Sequence, residues 1–229
     1  MALSSDRLGA LPKVTRVTGG RRAAYSASTK RALLEVATEL FTTRGYVGTS
    51  LDAIVAGAEV TKGALYHHFT GKQALFEAVF ASVEDQAADT IKKALKESRD
   101  PWEKAQAGLR AFLEVVQDPT YQRVVIQEGP AVLGYERFRE SGERSSFGIV
   151  QTIVGAVVKA GDWNLDDDMG RTFSRIFFGA MSAAGEMISS AEDVQEASAQ
   201  VGVAITFILE GLRGLADSGA ELPSIDDEL

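Results

Sequence analysis

Residues 49 to 72 read TSLDAIVAGAEVTKGALYHHFTGK, and the spacing of apolar and turn-forming residues within this stretch decides the fold. Thr49 precedes an apolar run with Asp52 three residues on, a short-armed variant of the capping box in which Glu or Gln is usual. Leu51, Ile54, Val55 and Ala58 recur at three- and four-residue steps and predict the buried stripe of a short helix. After Glu59 and Val60 a second short helix is predicted from Lys62 to His68, stopped by Thr70-Gly71. Val60, Leu65 and Phe69 can point back to neighbouring helices, which leaves Thr61, Lys62, Tyr66 and His67 outward. A helix this short cannot hold itself together in water, so its apolar side must be anchored by its neighbours.

The same periodicity extends outward in both directions. Leu33, Val36, Ala37, Leu40 and Phe41 mark one face of a helix from about Thr29 to Arg44, with Ser28 as N-cap and Gly45 as C-terminal stop. Downstream, Leu75, Phe76, Val79, Phe80, Val83, Ala87, Ile91 and Leu95 predict a long helix from Lys72 to about Lys96. Asp100-Pro101 opens another, with Pro in the first turn where its missing N–H costs nothing, and Asp118-Pro119 ends it. Further helices are predicted near 120–128, 130–160 with a break at Ser141-Gly142, 165–190 and 193–217. The fold class is therefore all-α. A three-helix N-terminal unit carries a helix-turn-helix, the design in which a short second helix enters the DNA major groove, and a larger helical bundle follows. The predicted division is a basic, disordered arm over 1–27, a helix-turn-helix DNA-binding domain over 28–74, a larger helical domain over 75–217 and an acidic tail over 218–229.

With 229 residues, 45% hydrophobic and 24% charged, the chain can bury a sizeable core in one or two domains. The absence of cysteine excludes disulfides and thiolate sites and fits a cytoplasmic protein. No apolar run approaches about 18 residues and the N-terminus lacks a signal-like apolar segment, so no membrane association is expected. The net charge of -8 argues against a nucleic-acid partner only until it is divided: residues 1–80 carry +4 and residues 81–229 carry -12.

Residues 28 to 80 resemble the DNA-binding domain of the TetR family of bacterial transcriptional regulators. The likeness lies in the first helix, the Gly45-Tyr46 stop, the Thr49-Ser50 cap, the turn, the LYHHF segment and Lys72 three residues after it, in that order. It implies a homodimer with N-terminal DNA-reading heads and a C-terminal domain, here residues 75–217, that holds an effector pocket and the dimer interface. Carried over by position, Thr49 and Ser50 cap the first helix of the motif and offer hydroxyl and backbone N–H groups to a phosphate. Lys62, Gly63 and Ala64 would face bases. Tyr66, His67 and His68 would contact phosphates or the groove wall, and Lys72 would clamp another phosphate. One departure is Glu59, at a turn position often filled by Gly; if that position needs a positive φ, Glu costs about 1 kcal/mol relative to Gly.

In the acidic part, the candidate ligand-binding residues are Trp102, Phe112, Tyr121, Phe173 and Phe177, with Gln127, Met169 and Arg175 as polar or adaptable contributors. As a set they favour an apolar or aromatic effector. Gly179, Ala180, Ala183 and Ala184, with Gly202, Ile205, Leu209 and Leu212, are the candidate dimer interface. His67-His68 do not face one direction and have no third ligand nearby, so no metal is expected; Asp166-Asp167-Asp168 reads as a helix cap rather than a cation loop. No nucleophile elbow or phosphate-binding loop appears, and neither enzymatic activity nor a cofactor is expected. The expected partners are a double-stranded DNA operator, a small-molecule effector and a second copy of the chain. The competing reading is an all-helical ligand carrier or protein-interaction module that does not read DNA sequence.

Overall fold

The computed structural model describes residues 18–220, which form ten α-helices and two π-helical segments, with no strand among the described residues. α1 (Thr18–Gly48) starts well before the predicted Thr29. Ser28, expected as its N-cap, lies inside the helix and its hydroxyl donates to Tyr25 O at 2.9 Å, the back-bond that Ser makes in a helix interior. Ala, Lys and Arg from residue 21 onward favour helix and carry it back through residues 18–27 of the predicted arm, whose residues 1–17 lie outside the described residues. Gly45, the predicted stop, is a kink within α1 with φ 70° and ψ 174°.

α2 (Leu51–Gly57) and α3 (Lys62–His68) follow as predicted. Ser50 caps α2 by accepting from Ala53 N, and Thr61 caps α3 by accepting from Ala64 N. Between them Glu59 has φ 53°, so the turn does demand the left-handed conformation that Gly would adopt without strain. α4 (Lys72–Leu95) runs from this unit into the body.

The body comprises α5 (Pro101–Gln117), π1 (Tyr121–Glu128), α6 (Gly129–Leu133), α7 (Tyr135–Gly142), π2 (Glu143–Phe147), α8 (Gly148–Ala160), α9 (Asp167–Ser189) and α10 (Val194–Asp217). Asp100, Asp166 and Asp193 each cap a helix by accepting the amide three residues on, at 2.7 to 2.9 Å. The helix predicted over 130–160 is interrupted at Gly134, where φ is 83°, and again by π2 directly after the Ser141-Gly142 position.

Leu33, Ala37 and Phe41 of α1, Ile54 of α2, Leu65 of α3 and Leu75, Phe76 and Val79 of α4 are all fully buried in one cluster. Phe76 meets Phe41 and Tyr46 edge-on at 5.1 and 5.3 Å between ring centroids. Leu65 is the only buried residue of α3, so that helix is fixed by one side chain; truncating it to Ala costs about 2 to 5 kcal/mol. The cluster does not stop at the head, because Val124 and Val125 of π1 belong to it. Separate clusters hold the body: Trp102, Ala105, Val157 and Leu209 in one, Val116, Ile188 and Val201 in another.

α10 corrects the predicted interface. By length and composition it is apolar enough to span a bilayer, with mean hydropathy 1.3 over its most apolar stretch. Its apolar residues form two stripes. Leu209, Ile205 and Leu212 pack inward beside Trp102, and a Cβ on Gly202 would meet Leu113 at 3.1 Å, so these four residues are used within the chain. The opposite stripe, with Val203 and Phe207 72% and 80% exposed, has no neighbour among the described residues. A helix apolar on both faces gives no sequence signal of which face turns inward. On α9, Gly179, Ala180 and Ala183 are exposed, whereas Ala184 packs against the Val116–Ile188 cluster.

Candidate nucleic-acid interface and internal cavity

The exposed side of α3 presents Lys62, Gly63, Tyr66 and His67, with Ala64 half-buried beside them. Tyr66 is 58% exposed, large for a side chain with no packing role on its outer side. Lys62 Nζ lies 2.7 Å from Asp52 of α2, both side chains largely in solvent. This contact raises the Lys62 pKa, so the side chain stays charged and is held in place by a weak, exchangeable partner. His67 and His68 stand edge to face at 5.2 Å. His68 is half-buried and its pKa is lowered, first by desolvation and then by the nearby His67 and Lys30.

Thr49 and Lys72 have roles the motif did not announce. Thr49 is 2% exposed, and its hydroxyl lies 2.8 Å from Gly45 O and 3.0 Å from Leu40 O. It closes the end of α1 and has no hydroxyl to offer a phosphate; the capping of α2 falls to Ser50 alone. Lys72 Nζ donates to Tyr46 O at 2.5 Å and Thr49 O at 2.7 Å and sits 4.2 Å from the Tyr46 ring centroid. A cation over the last carbonyls of α1 stabilises that helix end, with the aromatic face adding to it. Lys72 thus ties the start of α4 to the α1–α2 junction, leaving at most one of its N–H groups for a phosphate.

The same junction is clasped from the body side. Arg123 and Glu128 of π1 form an ion pair at 3.1 Å that lies against Gly45, so closely that a Cβ there would collide with both side chains. At its other side π1 contributes Tyr121, Val125 and Ile126 to the wall of an internal cavity. Eight residues of π-helix, a wound-out geometry common at functional sites, therefore connect that cavity to the head.

The cavity has a volume of about 650 Å³ and is lined mainly by apolar side chains of α4, α5, α7, α8, α9 and α10 together with π1 and π2. Of the predicted ligand residues, Phe112, Tyr121, Phe173, Arg175 and Phe177 line it. Trp102 lies instead in the α5–α8–α10 contact beside Val157 and Leu209. Gln127 is exposed and bridges Arg123 and Ser189, at 3.3 and 3.2 Å. Met169 stands outside the wall in the first turn of α9, its amide bound by Asp166. Sequence reasoning missed Glu84, Phe147 and Ile153, which line the cavity. Glu84 interrupts the apolar stripe of α4 at Val83–Ala87 and could have been noticed as a carboxylate on a buried face.

A model described as bacterial regulatory proteins of the TetR family matches residues 33–79, and one described as the tetracyclin repressor-like C-terminal domain matches residues 102–212. The chain belongs to the TetR family. Among the relatives, the TetC protein of transposon Tn10 in Escherichia coli is 29% identical over 134 residues, 58% of this chain and 66% of the relative. The transcriptional activator FasR of Mycolicibacterium smegmatis is 33% identical over 85 residues, 37% of this chain and 39% of the relative. The chain thus spans just under two thirds of the first and well under half of the second. A solved TetR-family regulator from Pectobacterium atrosepticum superposes with a TM-score of 0.70 at 29% identity, covering 82% of this chain and 96% of that one. The two TetR-family segments are separated by residues 80–101, most of which is α4, so one rigid helix passes from the matched head into the start of the matched body.

Proposed function

We propose that the chain represses transcription as a homodimer that binds a pseudo-palindromic operator through α3 and is released by a small, largely apolar effector seated in the 650 Å³ cavity. The observation that supports this best is the joint position of α4 and π1. Each lines the cavity, and each holds the end of α1 from which the recognition unit hangs, Lys72 from one side and Arg123–Glu128 from the other. A ligand that spreads these two elements changes the seating of the head. Such coupling requires the effector to bind the DNA-free arrangement more tightly than the DNA-bound one.

The second copy is assigned to the uncovered apolar stripes of α9 and α10. Ile176 and Met187 on α9 are 63% and 57% exposed, in line with the small residues Ala180 and Ala183, and Val203, Phe207 and Leu215 run alongside on α10. Two such helices from each protomer make a four-helix contact across a two-fold axis. The two α3 helices of the dimer then have to sit about 34 to 36 Å apart to enter successive major grooves. Thr61, Lys62, Gly63, Ala64, Tyr66 and His67 are the proposed base and groove contacts, with Ser50 and the backbone N–H groups of α2 on phosphate. The site of action is the cytoplasm, where the DNA is.

The test is a gel shift on the DNA flanking the chain's own gene, repeated at rising salt. About four neutralised phosphates per head give a log–log salt slope near -7 for the dimer. Phe207→Glu should yield a monomer by sedimentation and abolish the specific shift. Failure of the wild type to shift any neighbouring promoter would favour a carrier or interaction module. A promoter–reporter fusion in a strain lacking the gene fixes the sign of control: expression should rise.

A further inference from the structure

The cavity holds one feature that an apolar effector alone does not explain. Glu84 of α4 is 6% exposed and lies in the cavity wall. Its carboxylate accepts from the Ser141 hydroxyl of α7 at 2.5 Å. Among the described residues, none of the ion pairs includes it. The cations that reach the wall, Arg139 and Arg175, are turned to Glu143 instead, at 3.5 and 4.0 Å. The charged groups that act on Glu84 from its surroundings are Asp85 and, more weakly, Arg144, and the Ser145 hydroxyl lies close. A carboxylate offers about four lone-pair positions. Buried carboxylates are ordinarily paired with a cation, because an uncompensated charge away from water is expensive.

We propose, on the reading of this cavity as the effector site, that the effector has an apolar body ending in a hydrogen-bond donor, preferentially a protonated amine, which docks on Glu84, and that molecules ending in a free carboxylate are excluded. The donor completes the pairing that the chain leaves open. Tyr121 of π1 stands at the same end of the cavity: the charge of Glu84 adds to the burial that pushes its pKa up to about 12. It therefore remains a protonated phenol that can accept from the same ligand group. A carboxylate-bearing ligand would meet Glu84 with like charge in a desolvated space, where such repulsion is strong. The geometry also gives the anchor a lever. Glu84 lies twelve residues beyond Lys72 on α4, about 18 Å along the axis at about 1.5 Å per residue. A ligand held between Glu84 and Tyr121 pushes on the two elements that clasp the end of α1.

The experiment uses three probes of one chain length, decylamine, decan-1-ol and decanoate, titrated calorimetrically into the full-length protein at pH 7. The wild type should bind the amine most tightly, the alcohol about tenfold more weakly and the carboxylate least. Glu84→Gln should weaken the amine about ten- to hundredfold, the range for losing a hydrogen bond to a charged group, while the alcohol shifts less than about threefold. The ranking on wild type stands without the variant, so a misfolded variant does not spare the proposal. Decanoate binding as tightly as decylamine, or a folded Glu84→Gln variant with unchanged amine affinity, overturns it. Should the alcohol bind with no preference for the amine, the donor proposal fails and the effector cavity stands. Should none of the three bind, both fail.

Discussion

Replacing Gly45 by Ala tests whether the clasp between body and head is built as described. The backbone at Gly45, φ 70° and ψ 174°, lies in a region that only glycine occupies freely; forcing an L-residue there costs about 1 to 3 kcal/mol. The added Cβ also collides with the guanidinium of Arg123 and the carboxylate of Glu128. Both are ends of flexible side chains and can withdraw, so this second cost is bounded by the loss of a half-exposed ion pair, at most about 1 kcal/mol. The sum, about 1 to 4 kcal/mol, corresponds to a fall in melting temperature of about 2 to 16 °C for a domain of this size. The assay is thermal denaturation followed by circular dichroism, with Arg123→Ala and the double variant alongside. Because the residues touch, the effects should not add: Arg123→Ala should cost up to about 1 kcal/mol in the wild type and little more on the Gly45→Ala background, where the ion pair is already displaced, and the backbone part should remain. A Gly45→Ala melting temperature within about 1 °C of wild type, or complete rescue by Arg123→Ala, would refute the strained-kink account.

Lys72→Ala should lower stability by about 1.5 to 3 kcal/mol, the loss of charge-assisted bonds to Tyr46 O and Thr49 O, and weaken binding to all DNA sequences. Lys62→Ala should leave the melting temperature nearly unchanged and relax base preference, so a specificity change in Lys72→Ala with stability intact would show that the two roles are misassigned. Glu59→Gly should gain about 1 kcal/mol by relieving the left-handed turn, read as a higher denaturant midpoint; a loss would mean that Glu59 makes a compensating contact. The pKa of Glu84 is raised chiefly by burial, with its serine partners opposing, so the folded state binds its proton more tightly than the unfolded chain does. Its contribution is then fully favourable below the ordinary glutamate value of 4.5 and is lost as pH rises through the elevated one. Glu84→Gln without ligand should accordingly melt above wild type at pH 8 and lose that advantage toward pH 4.5; a constant gap across this range would remove the carboxylate as its cause.

The head was readable in the sequence because its signals are local. Ser50 at the start of α2, Leu65 on the inward side of α3 and the departure from Gly at Glu59 each follow from a few neighbouring residues and fixed helix geometry, whereas Thr61 reads in the sequence only as an outward side chain and not as the cap it makes. Misplaced elements share a different cause. Ser28 can cap a helix or back-bond inside one, and only the residues before it decide which. Thr49 and Lys72 are polar residues in a binding motif whose hydrogen bonds run to the end of α1, between positions 23 and 26 apart for Lys72, and no spacing rule reveals that. In the body, Trp102 and Phe112 sit on the same face of α5 in periodicity, yet one fills the contact with α10 and the other lines the cavity. Whether an aromatic residue closes a core or bounds a void depends on how far the facing helices stand apart, which is a tertiary quantity.

Charge placement joins these observations to the proposed switch. Within residues 24–80, Lys30, Arg31, Arg44, Lys62 and Lys72 are matched one for one by Glu35, Glu39, Asp52, Glu59 and Glu77, so the +4 of the first 80 residues is carried entirely by residues 1–23. Of the five cations in the folded head, Lys72 is committed to main-chain carbonyls and Lys62 is paired with Asp52. The folded head by itself therefore attracts a phosphate backbone weakly, the acidic body repels it, and long-range attraction rests on the basic N-terminal residues. Weak non-specific affinity makes binding depend on correct placement: hydroxyl caps, helix N-termini and the face of α3 have to engage together, on both protomers, at the spacing of successive grooves. A regulator whose heads held DNA by charge alone would stay bound when their spacing changed. In the proposed switch a displacement of α4 and π1 around an effector would cost the protein its specific hold on DNA, because outside the basic N-terminal residues little charge is left to keep it bound once the two recognition helices lose register.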